Sequence, residues 1–142
     1  MTKFINNPNG AYGYADLQTQ GPQTIYDMKT SAAIVAPAVI AVGTTGLISA
    51  ALTNGTVSLA LGICISSAAS GDTVPVVVHG VVENVPVDGA TAAGSFLKPS
   101  VTTAGRLAAT ATPAAGEIVA IALAASVTNT TDVWVLPSKV TT

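Results

Sequence analysis

The most constraining feature of this sequence is a valine-rich run between residues 74 and 87. Side chains alternate between the two faces of a β-strand, so an apolar residue at every second position indicates a half-buried strand. The valines form two sets of opposite parity: Val74, Val76, Val78 and Val82, then Val85 and Val87. A β-bulge or bend near Gly80 to Asn84 would reconcile the two sets, so we predict one long strand that is bulged or bent there.

Shorter runs of the same kind occupy much of the remaining chain. Strands are predicted over residues 32–42, 57–65, 93–98, 117–123 and 132–136, with another that starts at residue 107. Pro37 lacks a backbone N–H, so the first of these should be an edge or interrupted strand. Short strands separated by glycine turns, such as Asp88-Gly89, are typical of an all-β barrel or sandwich.

The two halves of this β region resemble each other. Residues 61–65 followed by 72–78 parallel residues 119–123 followed by 132–136. The glycines and leucines upstream also correspond: Gly43, Leu47 and Gly55 with Gly94, Leu97 and Gly105. Because the spacings differ by one to several residues, we interpret the pattern as a weak internal duplication and not as a regular repeat.

The first 30 residues differ from the rest and are predicted to form an extended N-terminal arm, followed by a barrel domain over residues 31–142. This polar, turn-rich segment contains four of the six aromatic residues: Phe4, Tyr12, Tyr14 and Tyr26. Aromatic side chains are enriched at interaction hot spots, because they bury a large area for few rotatable bonds. The arm could dock on a partner, or its rings could pack back onto the chain's own domain.

Charge is scarce and evenly spread. Charged residues are 8% of the chain, against about 25% in typical soluble domains. The five basic residues are isolated, so no patch can neutralise many phosphates, and nucleic-acid binding is not expected. The longest apolar stretch, residues 32–43, is shorter than the ~20 residues that a membrane-spanning helix needs. Residues 1–10 have no apolar run typical of a secretory signal, and we expect a soluble protein made in a cytoplasm.

Residues able to carry enzyme chemistry are few. The chain has one histidine, His79, within a predicted strand, and one cysteine, Cys64, within an apolar run. This pair cannot form a Cys/His zinc site within one chain. The seven acidic residues are isolated, and no nucleotide-binding loop or nucleophile elbow occurs. We expect no enzyme activity and no cofactor, with Cys64 buried in the core and His79 a packed or surface residue.

Four segments together resemble a known family. They are His79-Gly80-Val81-Val82, the turn from Val87-Asp88-Gly89-Ala90 to Ala93-Gly94, Gly105-Arg106, and the strand Ile118-Val119-Ala120-Ile121-Ala122-Leu123-Ala124-Ala125. This arrangement is similar to the capsid decoration (head cement) proteins of tailed phages. The likeness covers residues 43 to 136 and leaves the arm unmatched.

The resemblance implies a β-tulip domain that forms a homotrimer on the outer surface of the virion. It would bind the major capsid protein, bridge neighbouring subunits and stabilise the head, with no catalytic residues. The arm would then order on the capsid, with Phe4, Tyr12, Tyr14 and Tyr26 as the contacts. Two other functions remain open from the residues. One is a tail, fibre or adhesin module that binds a host glycan or receptor, and the other is a small hydrolase or sugar-binding enzyme that uses His79.

Overall fold

The computed structural model describes residues 23–43, 45–50, 60–112 and 118–136. All of the regular structure in these ranges is β, which confirms the predicted fold class. The strands are β1 (Thr24–Lys29), β2 (Ala38–Val42), β3 (Ile48–Ala50), β4 (Ala60–Cys64), β5 (Thr73–Asp88), β6 (Phe96–Pro99), β7 (Leu107–Thr110), β8 (Ala120–Ala122) and β9 (Thr130–Val135).

The later strands close into a five-stranded barrel, here called the C-terminal barrel. It contains residues 80–88 of β5 together with β6, β7, β8 and β9. Going round the barrel, β5 pairs with β7, β7 with β6, β6 with β8, β8 with β9, and β9 with β5 again. The β5–β7 pair is parallel and the other four are antiparallel. Its interior is filled by buried aliphatic side chains, among them Val85, Leu97, Leu107 and Val133.

The earlier strands form a second ring, here called the N-terminal barrel, from β1 to β4 and residues 73–79 of β5. β5 pairs with β1 and β4, and β2 lies between β4 and β3. The ring closes through one parallel bridge, between Thr30 and Ile48. Its interior includes Ile40, Ile48, Cys64, Val74 and Val76.

The two barrels have the same order of strand pairing, so the weak internal duplication is a feature of the fold. The strands correspond one to one: β1 with residues 80–88 of β5, β2 with β6, β3 with β7, β4 with β8, and residues 73–79 of β5 with β9. Loop hydrogen bonds correspond as well. The Thr30 N–H donates to the Asp72 carbonyl at 2.8 Å, and the Val87 N–H donates to the Asn129 carbonyl at 2.9 Å.

One part of the sequence-based alignment of the halves was wrong. Gly43 corresponds to Ser100 and not to Gly94. The Gly43 N–H donates to the Leu47 carbonyl, and the Ser100 N–H donates in the same way to the Arg106 carbonyl. Gly105 instead matches Gly46, and both have positive φ just before β7 and β3. Gly55, the third glycine of that alignment, lies outside the described residues. The alignment of the halves by glycine and leucine spacing was wrong because spacing along the chain contains no information on which strands pair.

The long strand β5 is shared by both barrels and is bulged where the valine parity predicted. Its register with β9 shifts between Val82 and Val85. Within the bulge, Asn84 has φ of 53°, a conformation that asparagine tolerates better than most residues. The Asn84 N–H donates to Asp132 Oδ1 at 3.0 Å, so the carboxylate satisfies a backbone donor that the bulge removes from the ladder. Val82, Val85 and Val87 therefore all face the core.

The segment predicted as an arm contributes its last residues to the sheet. β1 pairs with β5 from Thr24 opposite His79 to Lys29 opposite Thr73, and Thr30 is buried. The arm residues 1–22 lie outside the described residues. Pro37 immediately precedes β2, so the predicted 32–42 strand is interrupted there and its regular part is Ala38–Val42.

Candidate interaction surfaces

The outer wall of the C-terminal barrel carries a row of apolar side chains. Phe96 pairs with Ile121, Ile121 with Trp134, and Trp134 with Val81, so the four are cross-strand neighbours. Their neighbours along each strand, such as Leu97 and Val133, are buried, so alternation points this row outward. Phe96 is 43% exposed and Trp134 is 42% exposed. We call these four residues the C-terminal outer row.

His79 lies beside this row. Its ring meets the Trp134 indole edge-on, with ring centroids 5.6 Å apart and an interplanar angle of 63°. Edge-to-face pairs of this kind stabilise aromatic contacts by about 0.5–1.5 kcal/mol. His79 is thus packed against a partly exposed tryptophan, in agreement with the prediction that it is a packed or surface residue.

Three of the four residues in the equivalent row of the N-terminal barrel are buried, and the fourth, Ile25, is 43% exposed. Val39 pairs with Ile63, Ile63 with Val77, and Val77 with Ile25. We call these four the N-terminal outer row. The first three are fully buried and belong to the same hydrophobic cluster as the interior of the C-terminal barrel, including Val82, Val85 and Leu107.

The N-terminal outer row packs where the wall of the C-terminal barrel is thinnest. β5 and β7 pair only at Val87–Leu107 and Asp88–Ala108, so residues 80–86 of β5 have no partner on β7. We call this side of the barrel its seam. The Val39 N–H donates to the Gly105 carbonyl at 2.9 Å, just before β7 begins. The outer row of one barrel therefore completes the core of the other.

The N-terminal barrel has the corresponding seam, between β1 and β3. Tyr26 pairs with Val76 on β5, as Val82 pairs with Val133 on β9, so Tyr26 and Val82 occupy equivalent positions. Tyr26 is 57% exposed, whereas Val82 is 5% exposed. The Tyr26 side chain is thus left largely uncovered. Phe4, Tyr12 and Tyr14, the other three aromatic contact candidates, lie outside the described residues, so the structure does not bring the four together.

A cleft of about 400 Å³ separates the two barrels on one side. Its wall is mainly apolar and includes Ile34, Val35, Pro37 and Pro86. Arg106 is the charged residue in its lining.

A polar network fixes the end of the C-terminal seam. Arg106 Nε lies 2.7 Å from Asp88 Oδ1, and an Arg106 guanidinium N–H donates to the Val87 carbonyl at 2.6 Å. The hydroxyl of Ser100 donates to Asp88 Oδ2, as does that of Thr102 at 2.9 Å. Partial burial opposes ionisation of this carboxyl, but these hydrogen bonds and the guanidinium outweigh it and lower the pKa of Asp88.

Two further ionisable side chains, Cys64 and Glu83, have shifted pKa values that their local packing explains. Cys64 is buried as predicted, its thiol donates to the Ser66 carbonyl at 3.0 Å, and burial raises its pKa. Burial and the neighbouring Asp132 carboxylate raise the pKa of Glu83. In the part of the chain that the structure describes, no three His, Cys, Asp or Glu side chains cluster in a way that could hold a metal ion. The same residues contain no helix long and apolar enough to cross a membrane.

Sequence reasoning did not identify either outer row. The available signal was the alternation itself, because Phe96, Ile121 and Trp134 stand at strand positions where a solvent-facing wall would carry polar residues. No protein-family model matches the chain, and no curated protein matches it.

Proposed function

We propose that this chain is a non-enzymatic structural protein of a tailed-phage virion, which decorates the outer surface of the head. It would bind the major capsid protein, bridge neighbouring subunits and stabilise the shell as a homotrimer. The proposal starts from the sequence resemblance. One structural observation carries it further, namely the conformation of the glycines in the shared motif.

Those glycines stand where the barrel wall changes direction. Gly89 follows β5 and has a φ of 80°, and Gly94 precedes β6 and has a φ of 82°. Gly105 precedes β7 and has a φ of 84°. These φ values are open to glycine and costly for most other residues. The motif is therefore a set of structural requirements for the C-terminal barrel, which supports comparison with a family defined by its fold.

The exposed surface suits a protein that works by contact. Tyr26, Phe96 and Trp134 are exposed aromatic residues, a type enriched at interaction hot spots. Contacts made by many identical copies add up, so a modest affinity at each site can stabilise a whole shell.

The test is co-sedimentation of the purified chain with expanded phage heads that lack decoration. We expect saturable binding and greater resistance of the heads to heat. The contribution of the arm is tested by deletion of residues 1–22, because a longer deletion through Tyr26 would also remove part of β1. We expect this truncated chain to bind at least tenfold more weakly, with Val127→Lys, an exposed loop substitution, as the control.

One result would contradict the proposal, and another would contradict only the role of the arm. If neither form binds any head while the chain binds a host glycan or receptor, the protein is another virion surface module. If the truncated chain decorates heads as tightly as the full chain, the arm is not the contact.

A further inference from the structure

The internal duplication identifies a pair of surfaces that should bind each other between copies. We infer that this chain self-associates head to tail, with the C-terminal outer row of one copy packing against the N-terminal seam of the next. The partner is thus a second copy of the same chain. This inference names the contact behind the self-association that the proposed function includes, but it is argued from the duplicated fold. It is tested on the purified protein alone, so self-association and binding to heads can fail separately.

The first step of the argument is a contact that the chain already makes within itself. The N-terminal outer row packs against the C-terminal seam, and Val39, Ile63 and Val77 become fully buried there. Equivalent residues of the other barrel form the C-terminal outer row, strand for strand. An apolar row of this type therefore fits a seam of this type.

The second step is that the chain has one more outer row and one more seam, and neither is covered by other described residues. The C-terminal outer row retains two aromatic side chains that are more than two-fifths exposed, Phe96 and Trp134. The N-terminal seam retains Tyr26, which is 57% exposed where the equivalent Val82 is covered. Contact between two copies would cover both unused faces at once and would continue the interface already present inside each copy.

The geometry of such a contact has a defined consequence. The two faces are unlike, so each copy still offers one free face after it binds a neighbour. Heterologous contacts of this kind close into rings or extend into filaments, depending on the rotation between copies. The contact therefore predicts an assembly larger than a dimer.

The experiment uses size-exclusion chromatography with light scattering on the full chain, up to about 1 mM, a range that detects weak contacts. We expect the wild-type chain to have a mass of three or more copies. Trp134→Lys removes the row and Tyr26→Lys removes the seam, and we expect each variant to have the mass of one chain. Tyr26 is 57% exposed and Trp134 is 42% exposed, so each lysine can reach solvent, and circular dichroism checks that each variant keeps native structure. Phe96→Lys, at a position 43% exposed and without the His79 contact, is a second variant of the row. Val127→Lys, on neither face, should assemble like the wild type.

Mixing the two variants gives the decisive result. The Trp134→Lys copy keeps an intact seam and the Tyr26→Lys copy keeps an intact row, so the mixture should form a 1:1 dimer and nothing larger. A contact between like faces would not be restored by mixing, and absence of the dimer would overturn the inference. A wild-type chain that is monomeric and associates only after removal of residues 1–22 would also overturn it, because its own N-terminal segment would then cover the seam.

Discussion

The two barrels have the same strand pairings, but only one of them has its seam covered by other side chains. In the C-terminal barrel the seam is covered, and Val82 at its edge is buried. In the N-terminal barrel the equivalent position is Tyr26, whose side chain remains largely exposed. Duplication of a strand order thus does not produce two equivalent cores, because one barrel supplies a wall to the other and receives none in return.

The comparison is tested most strongly by truncating equivalent core residues. Ile40 and Leu97 are both fully buried, one in each barrel. We expect Ile40→Ala and Leu97→Ala each to lower the free energy of unfolding by about 2–5 kcal/mol, through lost burial and the cavity left behind. Urea denaturation followed by circular dichroism measures both effects.

The same experiment tests whether the barrels unfold together. Trp134, the single tryptophan, reports on the C-terminal barrel by its fluorescence. Because the N-terminal outer row belongs to the core of that barrel, Ile40→Ala should shift the fluorescence and circular dichroism transitions equally. If the fluorescence midpoint stays at its wild-type value, the two barrels are independent folding units.

A second substitution addresses a close approach that is specific to the N-terminal barrel. A Cβ atom at Gly62 would lie 2.2 Å from the Val77 carbonyl oxygen, whereas the equivalent Ala120 is accommodated and fully buried. We expect Gly62→Ala to destabilise the chain by about 1–3 kcal/mol, as overpacking does, measured by urea denaturation. Gly43→Ala is the control, because its Cβ would make an ordinary contact of 3.6 Å with the Leu47 carbonyl oxygen. Equal losses at the two positions would contradict the prediction.

A third pair of substitutions compares the two seams directly. Val82→Ala removes a buried side chain and should cost about 1–3 kcal/mol. Tyr26→Ala removes a largely exposed one and should change the stability of a single copy by less than about 0.5 kcal/mol. Both are measured by thermal and urea unfolding at the lowest protein concentration that gives a signal. A loss at Tyr26 as large as that at Val82 would mean that the N-terminal seam is closed within one copy.

The smallest expected effect is a pH dependence confined to the C-terminal seam. The pKa of Asp88 is lowered in the folded chain, so its contribution is present above the ordinary aspartate range and is lost as the pH falls through the lowered value. Unfolding free energies between about pH 7 and pH 3 should therefore decline less steeply for Asp88→Asn than for the wild type. Glu83, with its raised pKa, contributes with the opposite sign and is common to both proteins. Identical pH profiles would exclude a contribution from Asp88.

Much of the fold could be predicted from alternation alone. The parity switch in the valine run located both the long strand and its bulge, because Val82 and Val85 can face the same core only if the register shifts between them. β3 was missed, since its three residues are too few to show a period. β1 was missed as a strand because five of its six side chains are exposed and it lacks a clear apolar face. Local patterns detect a buried face, and β1 has almost none.

The interaction surfaces were less predictable, for a physical reason. The pattern around Ile63 and that around Ile121 look alike, because both rows alternate with buried neighbours. One row is covered and the other is exposed only because the chain packs one barrel against the seam of the other. That contact joins residues far apart in sequence, so no local period reports it.

The shared strand β5 also determines how the molecule would respond to force. Its 16 residues run through both barrels without a linker between them. Inter-strand hydrogen bonds of an antiparallel pair lie across the strand direction, so tension along β5 loads many of them in shear at the same moment. A pull on one barrel is thus transmitted to the other by the backbone of a single strand, and the two barrels share the load.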